Sequence, residues 1–431
     1  MTKIMSFLVS LSFLFLAVTV HAQRLTRTEK KIVAKVKALD QESIDFLEKV
    51  VNINSGTMNL PGVRAVGKEF ATAFEVIDFS TQWIEMPQEM NRAGHLFAEI
   101  NGNKGNRLLL IGHLDTVFEA ESPFQTFVRK DTLAFAPGGN DMKGGNVVIL
   151  YALKALHELD LLKDTTIRVA FTGDEERTGK PLSISRKPLI DAAKKSDIAL
   201  GFETATGFNY ATIARRGASG WQVETAGKRA HSSGVFSERT GAGAIFEMSR
   251  ILHKFYEEVR GETYLTFNPG TLFGGTFVDY DPLKSSGTAY GKTNVVAQKA
   301  LVNGGLRFIS EEQKERARAK MRTIVDDHLP STNATITFTD SYPAMFPTES
   351  NKEILGALSQ VSQDLGFGEV NAYDPGRRGA ADISFVANHV PGLDGLGSMG
   401  TGAHTPNETV NLKTFNALIQ RTAVFIYRLT R

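Results

Sequence analysis

The residues of this chain that could do chemistry fall in a few short stretches. His113 and Asp115 stand in "GHLDTV" directly after an apolar run, Asp141 in "NDMKGG", Glu175 and Glu176 after "RVAFTGD", Glu203 after "DIALGF", and His404 in "GSMGTGAHTPNE". Imidazole and carboxylate groups together suit zinc, which takes nitrogen and carboxylate oxygen in a roughly tetrahedral set. Two histidines and three carboxylates can serve two metals when one carboxylate bridges them. Asp115, two residues from His113, is placed to accept the far ring N–H of that histidine and fix its tautomer. The adjacent Glu175 and Glu176 can divide labour, one holding metal while the other takes a proton from the attacking water. Chemistry of this kind is hydrolysis.

Taken singly, each of these groups has an ordinary structural explanation, because acids at strand ends are often helix caps or surface groups. What joins them is position: three sets follow apolar strands, and ligands of open α/β sheets bind outside the carboxyl ends of strands. His95, His157, His253, His328 and His389 belong to no comparable cluster and read as core or surface histidines. His231, in "GKRAHSSG", is undecided on spacing alone. The glycine-rich stretches contain no P-loop or dinucleotide fingerprint.

The elements that must position these groups alternate in type. Charged and apolar residues at helical spacing up to Gly56 predict one or two opening helices, with Leu47, Val50 and Val51 on one stripe. A helix over about 61–74 leads into short strands, among them "HLFAEI" and "RLLLIG". "KGGNVVILYALKALHELDLL" is apolar nearly all round and predicts a buried helix; "TTIRVAFTGDEE" and "DIALGFE" predict strands. The pattern implies an α/β fold, a mixed and largely parallel sheet covered by helices. After about Gly217 the style changes to an α+β unit: an alternating strand, a helix, two short strands in "VAQKALVNGGLRFI", and a charged helix that Ser310 can cap. The expected organisation is a catalytic domain over 23–216 and 333–431, interrupted by an inserted domain over 217–332.

The 431 residues are 42% hydrophobic, enough for one large core or two smaller ones. A net charge of +2 with no run of five like charges argues against nucleic acid or a membrane surface as partner. The opening "MTKIMSFLVSLSFLFLAVTVHAQ" reads as a signal peptide over 1–22, cleaved after Ala22, which predicts a secreted or periplasmic protein. A retained anchor is the other reading, since the apolar stretch from Ile4 to Val20 is near the short limit of roughly 17 residues for a span. The absence of cysteine excludes a lipoprotein anchor and disulfides, leaving the core to hold the fold.

The ordered set "GHLDTV", "NDMKGG", "TGDEE", "GFET", "GKRAHSSG" and "GAHTPNE" resembles the M20 family of di-zinc metallopeptidases and aminoacyl hydrolases, most of all its glutamate carboxypeptidase branch. The resemblance implies that Asp141 bridges two Zn2+ ions, with His113 and Glu203 on one and Glu176 and His404 on the other. It makes Glu175 the general base and later the acid. It makes the inserted domain a lid and dimerisation domain, whose His231 steadies the oxyanion, in a homodimer across the interface. Asn294 in "GKTNVV" and Arg307 in "GGLRFI" are similar to positions that hold the substrate carboxylate, a task suited to the planar fork of an arginine. The chain departs from the family at "RRGAAD", Arg377 to Asp382, where relatives often have a Gly-Gly-Thr-Asp type turn. Met142, after the bridging aspartate, removes no ligand.

These readings together predict an exported zinc-dependent exopeptidase that hydrolyses the C-terminal amide bond of small peptides or N-acyl amino acids. An amidohydrolase or deacylase of the same fold, acting on a non-peptide amide, is the alternative. A non-catalytic binding protein is a third reading, and Glu175 argues against it, because a binder has no need of a base beside a metal ligand.

Overall fold

The computed structural model describes residues 25–282 and 284–431, so the leader read at 1–22 lies outside the described residues. The chain enters through helices α1 (Arg27–Ala38) and α2 (Asp40–Val51). Thr26 opens α1 with a capping box: its hydroxyl accepts from Glu29 N, and the Glu29 carboxylate accepts from Thr26 N. In α2, Leu47, Val50 and Val51 are buried as their spacing predicts. Helix α3 (Leu60–Glu75) follows, with Asn59 accepting from Gly62 N and Pro61 in its first turn, where a missing N–H costs nothing.

The central sheet is built next: β1 (Ser80–Ile84), β2 (His95–Ile100), β3 (Lys104–His113), then helix α4 (Gly144–His157), β4 (Thr165–Thr172), helix α5 (Lys187–Ala193) and β5 (Ile198–Gly201). Strand β3 carries Leu108, Leu109, Leu110 and Ile111, all buried, as expected of a strand covered on both faces. Helix α4 is buried over almost its whole length, in keeping with its apolar sequence. Its residues join α1, α2, α3 and the closing helix in the larger core cluster.

The chain then leaves for a second unit: β6 (Gly217–Gly227), helix α6 (Ala244–Lys254), β7 (Thr266–Gly275), β8 (Lys299–Phe308), helix α7 (Glu311–Asp326) and β9 (Thr332–Asp340). These strands form an antiparallel sheet in the order β7-β8-β6-β9, with a core of its own around Trp221, Met248, Phe255 and Met321. Ser310 caps α7 through Gln313 N. The chain returns with α8 (Glu349–Asp364), β10 (Gly392–Leu393) and α9 (Leu412–Leu429). The central sheet has the order β1-β2-β4-β3-β5-β10. Strands β4, β3, β5 and β10 run parallel, while β2 is antiparallel to β4 and to β1. The fold is thus mixed α/β with a largely parallel sheet and an inserted α+β unit.

The inserted unit departs from the sequence reading in three ways. "VAQKALVNGGLRFI" forms one strand rather than two, because Gly304 does not break β8. A Cβ there would stand 2.2 Å from the Trp221 ring, so the glycine is where the indole crosses the strand. Strand β9 pairs with β6 from Thr332 to Asp340, so the chain leaves the inserted sheet after Asp340 rather than at 332. The break at Pro330 only turns the chain into its last strand. Strand β7 was not anticipated at all: Pro269 and the glycines around it hide it. It tolerates them as an edge strand with a bulge between Pro269 and Thr271. No helix among the described residues is long and apolar enough to cross a membrane.

Candidate metal centre

The centre lies at the carboxyl ends of β3, β4 and β5. His113 is the last residue of β3, and its Nε2 is 3.2 Å from Asp141 Oδ1 and 3.6 Å from Glu203 Oε1. The other Asp141 oxygen, Oδ2, is 3.1 Å from His404 Nε2, which is 3.2 Å from Glu176 Oε2. The two oxygens of Asp141 therefore face different imidazoles, and each imidazole has a further glutamate beside it. Donor atoms of His113, Asp141 and Glu176 lie within 4.8 Å of one another, as do those of His113, Glu175 and Glu203. His113 is buried, whereas His404 is 54% exposed on its side chain and closes the rim from the solvent side.

Fixed partners hold this floor from behind. The Nδ1 of His113 is 2.9 Å from the main-chain oxygen of Asp115, while the Asp115 carboxylate is 3.5 Å away. The backbone carbonyl makes the shorter contact with the ring, and the carboxylate expected as its orienter stands beside it. That carboxylate also accepts from Glu175 N at 3.0 Å, Glu176 N at 3.1 Å and Thr57 Oγ1 at 2.7 Å. Asp115 therefore pins the loop that carries both glutamates. On its other side, buried Asp174 is bonded by Arg186, by Gly179 N and by Ser185 Oγ, and Arg186 also donates to Asp382. Tyr342 OH donates to the Glu175 carbonyl at 2.8 Å. The Glu408 carboxylate accepts from Asn140 N at 2.8 Å and Asp141 N at 3.0 Å, fixing the loop before α4.

The electrostatics of the floor are those of crowded acids. Burial, reinforced by Asp141, pushes Glu203 up to about 7. Burial and the Glu203 charge raise Glu175 well above the ordinary carboxyl range, and burial raises Glu176. Bonds to Asp141 and Glu176 raise His404 to about 11. Asp141 lies below its usual value: burial opposes ionisation, and the imidazoles of His113 and His404 overcome it. Glu176 Oε1 is buried with no hydrogen-bond partner among the described residues. A divalent cation meets these conditions, because it supplies the charge the ionised acids lack and takes up the orphaned oxygen. The imidazole and carboxylate donors are those zinc accepts.

The residues expected from the inserted unit lie elsewhere. His231 is exposed and shares its Nδ1 with Ser233 Oγ at 2.9 Å. Its backbone bridges Val295, and Ser232 N donates to Asn294 O, so His231 and Asn294 sit on adjoining segments. Asn294 and Arg307, the latter on β8, are exposed. Among the described residues, none of the three forms a hydrogen bond or ion pair with the floor. His95 is a satisfied core group, its Nε2 2.9 Å from Ser185 O and its Nδ1 accepting from Gly173 N. Sequence reasoning missed Thr57, Asp174, Tyr342 and Glu408. Two of these stood inside motifs already singled out, Asp174 as the first acid of "TGDEE" and Glu408 as the last residue of "GAHTPNE".

Residues 109–428 match Peptidase family M20/M25/M40. Carboxypeptidase G2 from a Pseudomonas species is 27% identical over 373 residues, covering 84% of this chain and 83% of the relative. A probable succinyl-diaminopimelate desuccinylase from Staphylococcus aureus is 25% identical over 295 residues, covering 66% of this chain and 68% of the relative. Among solved structures, aminopeptidase PepT from Bacillus cereus superposes with a TM-score of 0.74 at 17% identity, covering 91% of this chain and 99% of that one, a likeness of fold.

Proposed function

This chain belongs to peptidase family M20/M25/M40, and on that premise we propose that it is a zinc-dependent exopeptidase that removes the C-terminal residue from small peptides or N-acyl amino acids. One observation carries the reading: the two oxygens of Asp141 are shared between His113 and His404, while Glu175 stands beside the same cluster with its carboxylate free of any hydrogen-bond partner among the described residues. The first is what a bridging ligand needs; the second is what a base needs.

In this reading His113 and Glu203 would hold one zinc and Glu176 and His404 the other, with Asp141 serving both. When bound, the ions supply Lewis-acid polarisation of the scissile carbonyl and a nucleophilic water near neutral pH. Glu175 takes the proton of the attacking water on its carboxylate and returns it to the leaving nitrogen. Burial supports that role, since a carboxyl raised towards neutrality both accepts and gives up a proton readily. Asp115 is a positioning residue, acting through the Glu175 and Glu176 amides.

His231 donates to the oxyanion, and Asn294 and Arg307 grip the terminal carboxylate. Because these three do not reach the floor within one chain, their roles go with a homodimer in which the inserted unit faces the partner's centre. The leader supports export to the periplasm or outside the cell.

A dipeptide and N-acyl amino acid panel with the zinc-loaded mature protein tests the reading, and cleavage of N-acyl compounds alone would remove the peptidase label. The desuccinylase relative favours that second outcome, an amidohydrolase on the same fold.

A further inference from the structure

The inserted unit joins the catalytic body through two chain segments that pair with each other. Arg215 and Met345 exchange both main-chain hydrogen bonds, at 2.9 and 3.0 Å, and Ala218 N donates to Tyr342 O at 2.8 Å. The pairing runs on into β6 and β9, where Ser219 stands opposite Asp340. At its other end Met345 is buried against the central sheet with Leu109, Ile111 and Ala170. The crossover is therefore a short antiparallel ladder with one end in each body.

Tyr342 belongs to this ladder, and its side chain leaves it for the metal centre. The ring packs on Phe385, with centroids 4.8 Å apart, and the OH donates to the Glu175 carbonyl at 2.8 Å. Because the phenol proton goes to that carbonyl, Thr178 Oγ1, 2.7 Å from the OH, is the donor in the second bond. Burial and the charges of Glu175 and Asp382 raise the phenol well above its ordinary range, which keeps it a donor.

The consequence falls on the base. Glu175 lies in the loop after β4, outside any helix or strand. Its carbonyl and the Glu176 amide form one peptide plane, held on one edge by Tyr342 and on the other by the Asp115 carboxylate. Asp115 also takes the Glu175 amide. The two glutamates differ at their far ends. In the reading above a metal ion holds the Glu176 carboxylate, whereas the Glu175 carboxylate, within 4.8 Å of the His113 and Glu203 donors, has no hydrogen-bond partner among the described residues. Its place is set by its backbone. A base must stay within hydrogen-bond reach of the proton it takes, and a misplacement of about 1 Å can lower the rate about 10²-fold.

We propose that Tyr342 is a positioning residue for the base: its phenol ties the Glu175 peptide to the crossover that carries the inserted unit. The placing of Glu175 then depends on how the two bodies are joined as well as on the floor. This rests on the hydrolytic reading above.

The test is a double-mutant cycle on the zinc-loaded enzyme, with Tyr342→Phe made both in wild type and in Glu175→Gln. Tyr342→Phe keeps the ring on Phe385. In wild type it is expected to lower kcat about 3- to 10-fold, the range for one neutral hydrogen bond, with KM and zinc content unchanged. In Glu175→Gln the same change should alter kcat by less than about twofold, because the group it positions is gone. An equal loss of kcat in both backgrounds, or a fall in zinc content, overturns the role and leaves the phenol a support of the fold or of the ligand Glu176.

Hydrogen exchange separates the tether from hydrolysis. Amides of the 174–179 loop should exchange about tenfold faster in Tyr342→Phe, while those of β3 keep their wild-type rates. If no substrate is cleaved yet exchange of this loop rises, the hydrolytic reading fails and the tether stands. Unchanged exchange in the loop overturns the tether even in an active enzyme.

Discussion

The floor of the metal centre and the inserted unit contribute chemistry in different ways. Four residues of the floor have a second partner in the same fold: His113 a backbone carbonyl, Glu175 and Glu176 the Asp115 carboxylate beneath their amides, Asp141 the Glu408 carboxylate beneath its own. His231, Asn294 and Arg307 lie exposed on the inserted unit, the ring of His231 held among the described residues by its neighbour Ser233 alone. On the roles proposed above, a site of this design would keep its metal ligands preorganised and bring its substrate-contacting groups in from outside. Rigid elements hold what must be within fractions of an ångström, and the mobile or intermolecular part holds what must let substrate enter.

If the floor is prebuilt, the largest loss without loss of metal should come from its one group that is not a ligand. Glu175→Gln is expected to lower kcat by about 10² to 10⁴-fold with zinc content unchanged, measured by steady-state kinetics beside metal analysis. Breaking the support from behind should act on folding. Arg186→Met leaves Asp174 and Asp382 buried without their shared cation, and about 3–5 kcal/mol of stability should go, read from urea unfolding. The inserted unit should behave in the opposite sense: His231→Ala is expected to cost roughly 10² to 10³-fold in kcat while unfolding and zinc content stay as in wild type. Loss of zinc in that variant would erase the contrast between the two regions.

The smallest effect concerns pH and the metal-free floor. Glu203, raised from 4.5 to about 7 by burial, holds its proton more tightly folded than unfolded, so its penalty is absent below pH 4.5 and grows as the pH rises to 7. His404, raised from 6.5 to about 11 by its carboxylate partners, contributes stability that is full below 6.5 and lost as the pH rises through 11. Both have the same sign. With chelator present, Tm should fall by about a few degrees from pH 5 to 8; with zinc bound, which favours the ionised acids and neutral imidazoles, the slope should flatten.

Much of the floor was legible because an apolar run stopping at an imidazole or acid is a local signal. His113, Glu175, Glu176 and Glu203 each follow such a strand, and Ser310, Thr26 and the apolar face of α2 are equally local. What stayed hidden depends on residues far apart in the chain. Arg186, bonded to Asp174, reaches Asp382 across 196 positions, and Tyr342 reaches Glu175 across 167. The further task of the Asp115 carboxylate was hidden for the same reason: besides the imidazole two residues away it holds the amides of the loop that follows β4. The strand β7 was masked by Pro269, tolerated only because tertiary pairing makes it an edge.

Metal stoichiometry tests the central claim most directly, by elemental analysis of wild type, Asp141→Ala and Glu175→Gln dialysed against the same trace of zinc. The account predicts two ions per chain in wild type and in Glu175→Gln, and loss of both in Asp141→Ala. Two ions retained without Asp141, or lost without Glu175, would contradict it.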